Sequence, residues 1–125
     1  MQTNVFRQNS PELKAYWQAL DQGKLFIPYC RSCARSHWYP RGICPHCFSY
    51  ELEPREASGK GVIFSYTHAP AAETAVAYVS LEEGPTLLAR IVDVNPTSLA
   101  IGQRVQLASD QILADPSVIF FKPAA

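Results

Sequence analysis

Four cysteines stand in two Cys-x-x-Cys pairs, Cys30 with Cys33 and Cys44 with Cys47. Each pair forms a tight turn that aims two thiolates at one point, and two such turns complete the tetrahedral four-sulfur site that zinc prefers. Because four protein ligands leave no position for water, we predict that this zinc is structural rather than catalytic. Two disulfides are the weaker interpretation, since we expect a cytoplasmic protein whose thiols stay reduced.

Two alternatives to this zinc site remain open. Iron in a rubredoxin-type site has the same ligand set, but such turns usually carry glycine after the second cysteine, where this chain has Ala34 and Phe48. The departure weakens an electron-carrier interpretation. His37 and His46 could replace a cysteine as ligands, but with four cysteines available we expect them to be solvated or to lie around the site.

The chain has no recognisable catalytic motif. GxSxG, HExxH, P-loop and GxGxxG patterns are all missing from the sequence. His68 could act as a general base, but no serine or cysteine nucleophile stands in a motif near it, so we interpret it as a strand-end residue. If all four cysteines bind metal, thiol catalysis is excluded as well. The chain alone does not resemble an enzyme.

One helix is predicted near the start of the chain. Ser10 and Pro11 have the residue types of an N-cap and a first helical position, and Gly23 is typical of a helix end. Apolar side chains recur between them with helical spacing: Leu13, Tyr16, Trp17 and Leu20. We expect this face to pack in the core, the alternative being that Tyr16 and Trp17 dock on another protein.

The rest of the chain is predicted to be β-structure. Short strands at 25–29 and 36–40 flank the cysteine turns, and the polar segment 51–58 is interpreted as a connector. Beyond Gly59 apolar residues alternate with a period of two, which predicts five strands: 62–68, 75–81, 86–92, 104–107 and 118–122. Five short strands in succession favour a small closed or partly open barrel.

The charges are balanced overall but divided along the chain. The 125 residues contain eleven Lys and Arg and eleven Asp and Glu. Residues 1–60 hold eight basic and five acidic side chains, whereas residues 61–125 hold three and six. The acidic second half argues against a nucleic-acid-binding module, which needs a positive groove. No apolar run approaches the roughly 18 residues of a membrane span, and we expect no membrane association.

The order of helix, four-cysteine ribbon and barrel resembles the zinc-ribbon/OB-fold family of acyl-CoA-associated proteins, known as domain of unknown function thirty-five. The resemblance covers nearly the whole chain. The segments that carry it are 15–25 (AYWQALDQGKL), 30–33 (CRSC), 39–47 (YPRGICPHC), 58–67 (SGKGVIFSYT), 81–85 (LEEGP) and 101–105 (IGQRV). It implies a mainly β protein with an N-terminal helix (1–24), a rubredoxin-like zinc ribbon (25–58) and a five-stranded OB-fold barrel (59–125).

The resemblance also implies a role. Such proteins are non-catalytic subunits that form hetero-oligomers with thiolase-like enzymes, aldolases or hydratases and help to complete the acyl-CoA site. A CoA thioester would then be a shared ligand. The runner-up is a nucleic-acid-binding module, since zinc ribbons and OB-folds also serve that role.

Four residues are our candidates for contact with CoA. Phe64 and Tyr66 are aromatic residues on which an adenine ring could stack, and Arg41 and Lys60 could meet its phosphates. Phe64 and Tyr66 share a strand face with Val62, however. The alternative is therefore that this face is the interior of the barrel.

Overall fold

The computed structural model describes residues 13–68, 74–116 and 118–124. The first helix in this part of the chain is α1 (Lys14–Asp21). The predicted cap at Ser10 and Pro11 lies outside the described residues. Gly23 follows the helix with a φ of 74°, and its N–H donates to Leu20 O at 2.9 Å, as expected for a helix end. Tyr16 is buried and Trp17 packs against the core, so the aromatic face is used within this chain.

A three-stranded antiparallel sheet follows the helix, in the order β2-β1-β3. Strand β1 is Phe26–Cys30 and β2 is Arg35–Ser36, so the strand predicted at 36–40 is wrong in its extent. The N–H of His37 still donates to Pro28 O at 3.2 Å. Proline has no N–H to donate in return, and β2 ends there.

Strand β3 (Leu52–Glu56) pairs with β1 along its whole length, from Phe26 opposite Glu56 to Cys30 opposite Leu52. The prediction of a polar connector at 51–58 is therefore wrong. The segment is polar because its outer side chains interact with one another and with β1: the Arg55 guanidinium lies 3.5 Å from the centre of the Tyr29 ring and also bonds to Glu53.

The five remaining strands close into a barrel in the order β4-β5-β6-β8-β7. They are β4 (Lys60–Thr67), β5 (Ala75–Leu81), β6 (Thr86–Ile91), β7 (Arg104–Leu107) and β8 (Phe120–Pro123). Neighbouring strands are antiparallel except for β6 and β8, which are parallel. The predicted barrel of five strands is confirmed as a closed one, consistent with an OB-fold.

Ribbon and barrel share one hydrophobic core. Leu25 and Ile27, at the start of the ribbon, belong to the same buried cluster as the inward residues of the barrel: Ile63, Val79, Leu87, Ile91, Val105 and Phe121. Helix α2 (Ser109–Ala114), which the sequence analysis did not predict, adds the fully buried Ile112 to this cluster. A 3-10 helix (Pro96–Ser98) connects β6 to β7. No described helix is long and apolar enough to cross a bilayer.

The barrel closes tightly at Gly61. A Cβ atom at this position would lie 2.7 Å from the carbonyl oxygen of Ser80 and 2.7 Å from Val79 Cγ1. Because the backbone oxygen cannot move without breaking the pairing of β4 with β5, only glycine fits here.

Replacing Gly61 with alanine should therefore lower the free energy of unfolding by about 1–3 kcal/mol, the usual cost of overpacking. Thermal or urea unfolding measures the loss. Gly42→Ala is the control, because a Cβ atom there meets nothing within 4 Å. Equal stability of the two variants would contradict the close approach at Gly61.

Candidate functional site

The two cysteine turns have the same backbone geometry. The N–H of Ala34 donates to Cys30 O at 2.8 Å, and the N–H of Phe48 donates to Cys44 O at 2.9 Å. Ala34 and Phe48 adopt φ values of 59° and 63°, the left-handed region that favours glycine. The missing glycines therefore do not prevent these turns from forming. A left-handed residue other than glycine costs about 1–2 kcal/mol, which the rest of the site must offset.

The four sulfur atoms converge on one point. All four Sγ atoms lie within 4.8 Å of one another, with Cys30 to Cys47 at 3.6 Å and Cys33 to Cys44 at 3.7 Å. Zinc bonds sulfur at about 2.3 Å, so the sulfur atoms of a tetrahedral site lie about 3.8 Å apart. A disulfide would need about 2.05 Å. The donor set therefore fits zinc with Cys30, Cys33, Cys44 and Cys47 as its ligands, and the protein supplies every ligand.

Secondary structure places each cysteine. Cys30 ends β1, and Cys33 lies in the turn before β2. The N–H of Cys44 donates to Ser49 O at 2.9 Å, which closes the second turn on itself. The N–H of Arg31 donates to Glu51 O at 2.9 Å, so the first turn is held against the start of β3. Strand β3, which was not predicted, therefore helps to hold the first cysteine turn in place.

The pKa values of Cys30 and Cys33 differ in the metal-free protein. The hydrogen bond from the N–H of Cys33 is the main cause that lowers the pKa of Cys30 to about 7. Desolvation is the main cause that raises the pKa of Cys33 to about 12. N–H groups that point at sulfur stabilise a thiolate, which is the form that binds zinc.

Neither His37 nor His46 belongs to the sulfur cluster, which among the described residues contains the four cysteines alone. The His46 side chain is exposed, and the backbone N–H of His46 donates to Cys44 Sγ at 3.4 Å. His37 is buried, with its ring centre 6.5 Å from that of His46. Burial, and then the charges of Arg41 and His46, lower the pKa of His37. His68 directly follows β4, in agreement with a strand-end position.

The candidate CoA contacts fall into separate places. Phe64 and Tyr66 lie on the outside of the barrel, 64% and 40% exposed, so the alternative that they fill its interior is wrong. The hydroxyl of Tyr66 donates to Leu99 O at 3.0 Å, which fixes its ring. Lys60 begins the same strand and lines a cavity on the barrel. Arg41 lines another cavity, which lies between the ribbon and the barrel. The structure does not bring all four into one cavity.

Two family profiles together match most of the chain. The profile described as ChsH2, rubredoxin-like zinc ribbon domain, matches residues 17–53. The profile described as ChsH2, C-terminal OB-fold domain, matches residues 54–110. The chain belongs to the ChsH2/DUF35 family. A "DUF35 domain-containing scaffold protein" from Pyrococcus furiosus is 34% identical over 111 residues. The match covers 81% of this chain and 80% of that protein.

Other similar proteins differ from this chain in length and in sequence identity. A protein from Thermomonospora curvata described as "Probable enoyl-CoA hydratase alpha subunit" is 37% identical over 120 residues; the match covers 88% of this chain but 37% of that protein. The solved structure "Ltp2-ChsH2(DUF35) aldolase" has a TM-score of 0.72 at 30% identity and covers 90% of this chain and 94% of that one. A DUF35 structure from Sulfolobus solfataricus, 18% identical, has a TM-score of 0.66, covers 98% and 100% of the two chains, and shares the fold.

Proposed function

We propose that this chain is a non-catalytic, zinc-stabilised accessory subunit. It binds an enzyme that acts on CoA thioesters, of the thiolase superfamily or of the aldolase or hydratase type, and helps to form the acyl-CoA site of that enzyme. Two comparisons support this assignment: one relative is named as a hydratase subunit, and one similar structure is named as an aldolase with a DUF35 component.

The observation that carries the proposal is a row of exposed apolar side chains across the barrel. We call Phe64, Tyr78 and Leu88 the barrel row. Their exposed fractions are 64%, 49% and 53%. Tyr78 on β5 pairs with Leu88 on β6 and with Ser65, next to Phe64, on β4, so the row crosses three adjacent strands. Contiguous exposed apolar and aromatic side chains are typical of surfaces that bind another protein.

The metal site also supports a non-catalytic role, because it leaves no coordination position for a substrate. All four cysteines serve one closed site, and a bound zinc ion would hold the ribbon rigid without an open position for substrate. The chemistry is then left to the partner enzyme. A rigid ribbon joined to the barrel through one core presents a preformed surface, which lowers the entropic cost of binding.

The barrel also offers a place for the CoA thioester. Phe64 and Tyr66 present aromatic side chains on the outside of β4, and Lys60 begins the same strand. An adenine ring stacked on these two side chains would share Phe64 with the barrel row, so the ligand would lie at the edge of the surface that docks the partner. In this arrangement the acyl-CoA site is shared by the two proteins, and neither holds the ligand completely without the other.

Co-expression with CoA-thioester enzymes of the thiolase, aldolase and hydratase types from the same organism tests the proposal. We expect a stable hetero-oligomer in size-exclusion chromatography. Tyr78→Ala and Phe64→Ala should each weaken the complex about 30-fold, because truncating a central aromatic anchor costs about 2 kcal/mol. Calorimetric titration measures this loss.

Leu113→Ala is the control for the barrel row, since Leu113 is 52% exposed but lies on helix α2. Its affinity for the partner should stay within about twofold of the parent chain. A chain that stays separate from all of these enzymes would disprove the accessory role. Equal losses in all three variants would show that the barrel row is not the docking surface.

A further inference from the structure

A cavity of about 730 Å³ lies between the zinc ribbon and the barrel. The ribbon side of its wall carries basic side chains from three segments: Arg35 on β2, His37 and Arg41 after it, and Arg55 on β3. The other side is formed by residues 83–85 of the turn between β5 and β6 and by the first residue of β6, Thr86. We call this space the junction cavity. Its basic side chains come together only through the fold, since they are spread over 21 residues of sequence.

Two of the three arginines on the ribbon wall form no ion pair among the described residues. Arg55 is bonded to Glu53 and stacked on Tyr29, but the side chains of Arg35 and Arg41 have no hydrogen-bond or ion-pair partner among the residues that the structure describes. Two carboxylates, Glu56 and Glu83, also line the cavity. Glu83 already accepts a hydrogen bond from the N–H of Ser58 at 2.6 Å. Two guanidinium groups are thus left to meet an anion.

His37 provides a second, independent observation. Its side chain forms part of the same wall and is 4% exposed, yet neither ring nitrogen has a hydrogen-bond partner in the described structure. Leaving a buried polar group unpaired costs about 1–3 kcal/mol. Its backbone is held in place, because the N–H of His37 donates to Pro28 O. A ligand that accepts a hydrogen bond from the ring would remove this cost.

We propose that the junction cavity binds a phosphate group, with Arg35 and Arg41 supplying the charge and His37 an N–H donor. Guanidinium groups match phosphate oxygens in geometry and hold their charge at every physiological pH. The phosphate belongs either to a nucleotide such as that of CoA or to free inorganic phosphate. The nucleotide source rests on the proposed function. In this site Arg35 and His37 bind the phosphate together with Arg41, in place of the Lys60 that was predicted from the sequence.

Calorimetric titration of the zinc-loaded full chain tests the site, with adenosine 3′,5′-bisphosphate and inorganic phosphate as probes. Arg35→Ala and Arg41→Ala should each weaken binding at least tenfold, since each removes a charge-assisted contact. Arg31→Ala is the matched control, because it removes the same charge from a residue that is paired with Glu51 and does not line the cavity. It should change the affinity by less than about twofold.

His37→Phe separates binding from structure. Phenylalanine keeps the bulk but removes both unpaired nitrogens, so phosphate affinity should fall while the melting temperature of the free protein stays equal or rises. If that variant fails to fold, the arginine variants decide alone. Tighter binding of the bisphosphate indicates a nucleotide, and equal binding indicates free phosphate.

Two results would overturn the phosphate site: no binding of either probe at millimolar concentration, or equal losses in Arg31→Ala and Arg41→Ala. Neither result bears on complex formation with the co-expressed enzymes, which is measured separately in the parent chain. Conversely, phosphate binding with the expected pattern in a chain that forms no complex would support the site and disprove the accessory role.

Discussion

Replacing Cys44 with serine is expected to abolish stoichiometric zinc binding and to unfold the ribbon. Cys44 is fully buried in the sulfur cluster, where its Sγ also accepts the N–H of His46. A serine hydroxyl keeps the size and the hydrogen-bonding capacity of the side chain but is a poor zinc ligand. The change therefore removes the metal bond and little else.

The expected effect is large because zinc supplies most of the folding free energy of so small a unit. Structural zinc sites bind with about 10–16 kcal/mol, whereas a whole domain is stable by about 5–15 kcal/mol. Leu25 and Ile27 lie in the core shared with the barrel, so loss of the ribbon also uncovers barrel side chains. We expect a lower melting temperature for the entire chain.

Metal analysis and near-ultraviolet circular dichroism measure the outcome for Cys44→Ser. Ser32→Ala is the control, since Ser32 lies between two ligands in the first turn and is exposed. Treatment of the parent chain with a strong chelator should reproduce the Cys44→Ser spectrum. A variant that keeps one zinc per chain and the parent melting temperature would refute the four-sulfur site.

Replacing Phe121 with alanine is expected to be the most damaging change within the barrel. Phe121 is fully buried on β8, where it pairs with Leu107 of β7 and with Ile91 of β6. Its side chain thus fills the core at the point where the barrel closes. Truncating a buried phenylalanine costs about 3–5 kcal/mol, because the cavity that it leaves collapses incompletely.

This loss corresponds to a fall in melting temperature of about 10–20 °C for a domain of this size. Zinc content should stay at that of the parent chain under zinc-saturating conditions, which separates this defect from that of Cys44→Ser. Ile101→Ala, at a side chain that is 72% exposed, should shift the melting temperature by less than about 2 °C. Similar shifts in the two variants would argue against Phe121 as a core residue.

Local patterns predicted the parts of the molecule that depend on neighbouring residues. The spacing of the four cysteines predicted the four-sulfur cluster, because each pair forms its own turn. Alternation beyond Gly59 predicted the five barrel strands to within about two residues at most ends, because a strand with one buried face must alternate. The helix end at Gly23 followed from the conformational freedom of glycine.

Where the prediction was wrong, a distant segment decided the outcome. Residues 51–58 are polar and resemble a connector, yet β3 forms there because β1 offers it a full set of backbone partners. The strand at 36–40 is cut short because its partner on β1 is Pro28. Helix α2 was missed because it has six residues and is stabilised mainly by the burial of Ile112.

The orientation of β4 shows what the sequence leaves open. One face of this strand carries Val62, Phe64 and Tyr66, and the other carries Gly61 and Ile63. Because both faces contain apolar residues, the sequence pattern does not show which of them is buried. The structure turns Gly61 and Ile63 inward, and β5 approaches Gly61 so closely that a larger side chain there would collide with it. The aromatic residues therefore face outward, where they are available to a partner or a ligand.

The sequence by itself determined that four cysteines form one cluster, the order of helix, ribbon and barrel, and the division of charge, since each depends on residues close together in the chain. The tertiary structure alone decided which face of β4 is exposed and which basic residues meet. Arg35, His37, Arg41 and Arg55 share one cavity because β1 pairs with both β2 and β3 and the turn between β5 and β6 packs opposite. Such contacts depend on pairing between distant segments, which spacing along the chain does not encode.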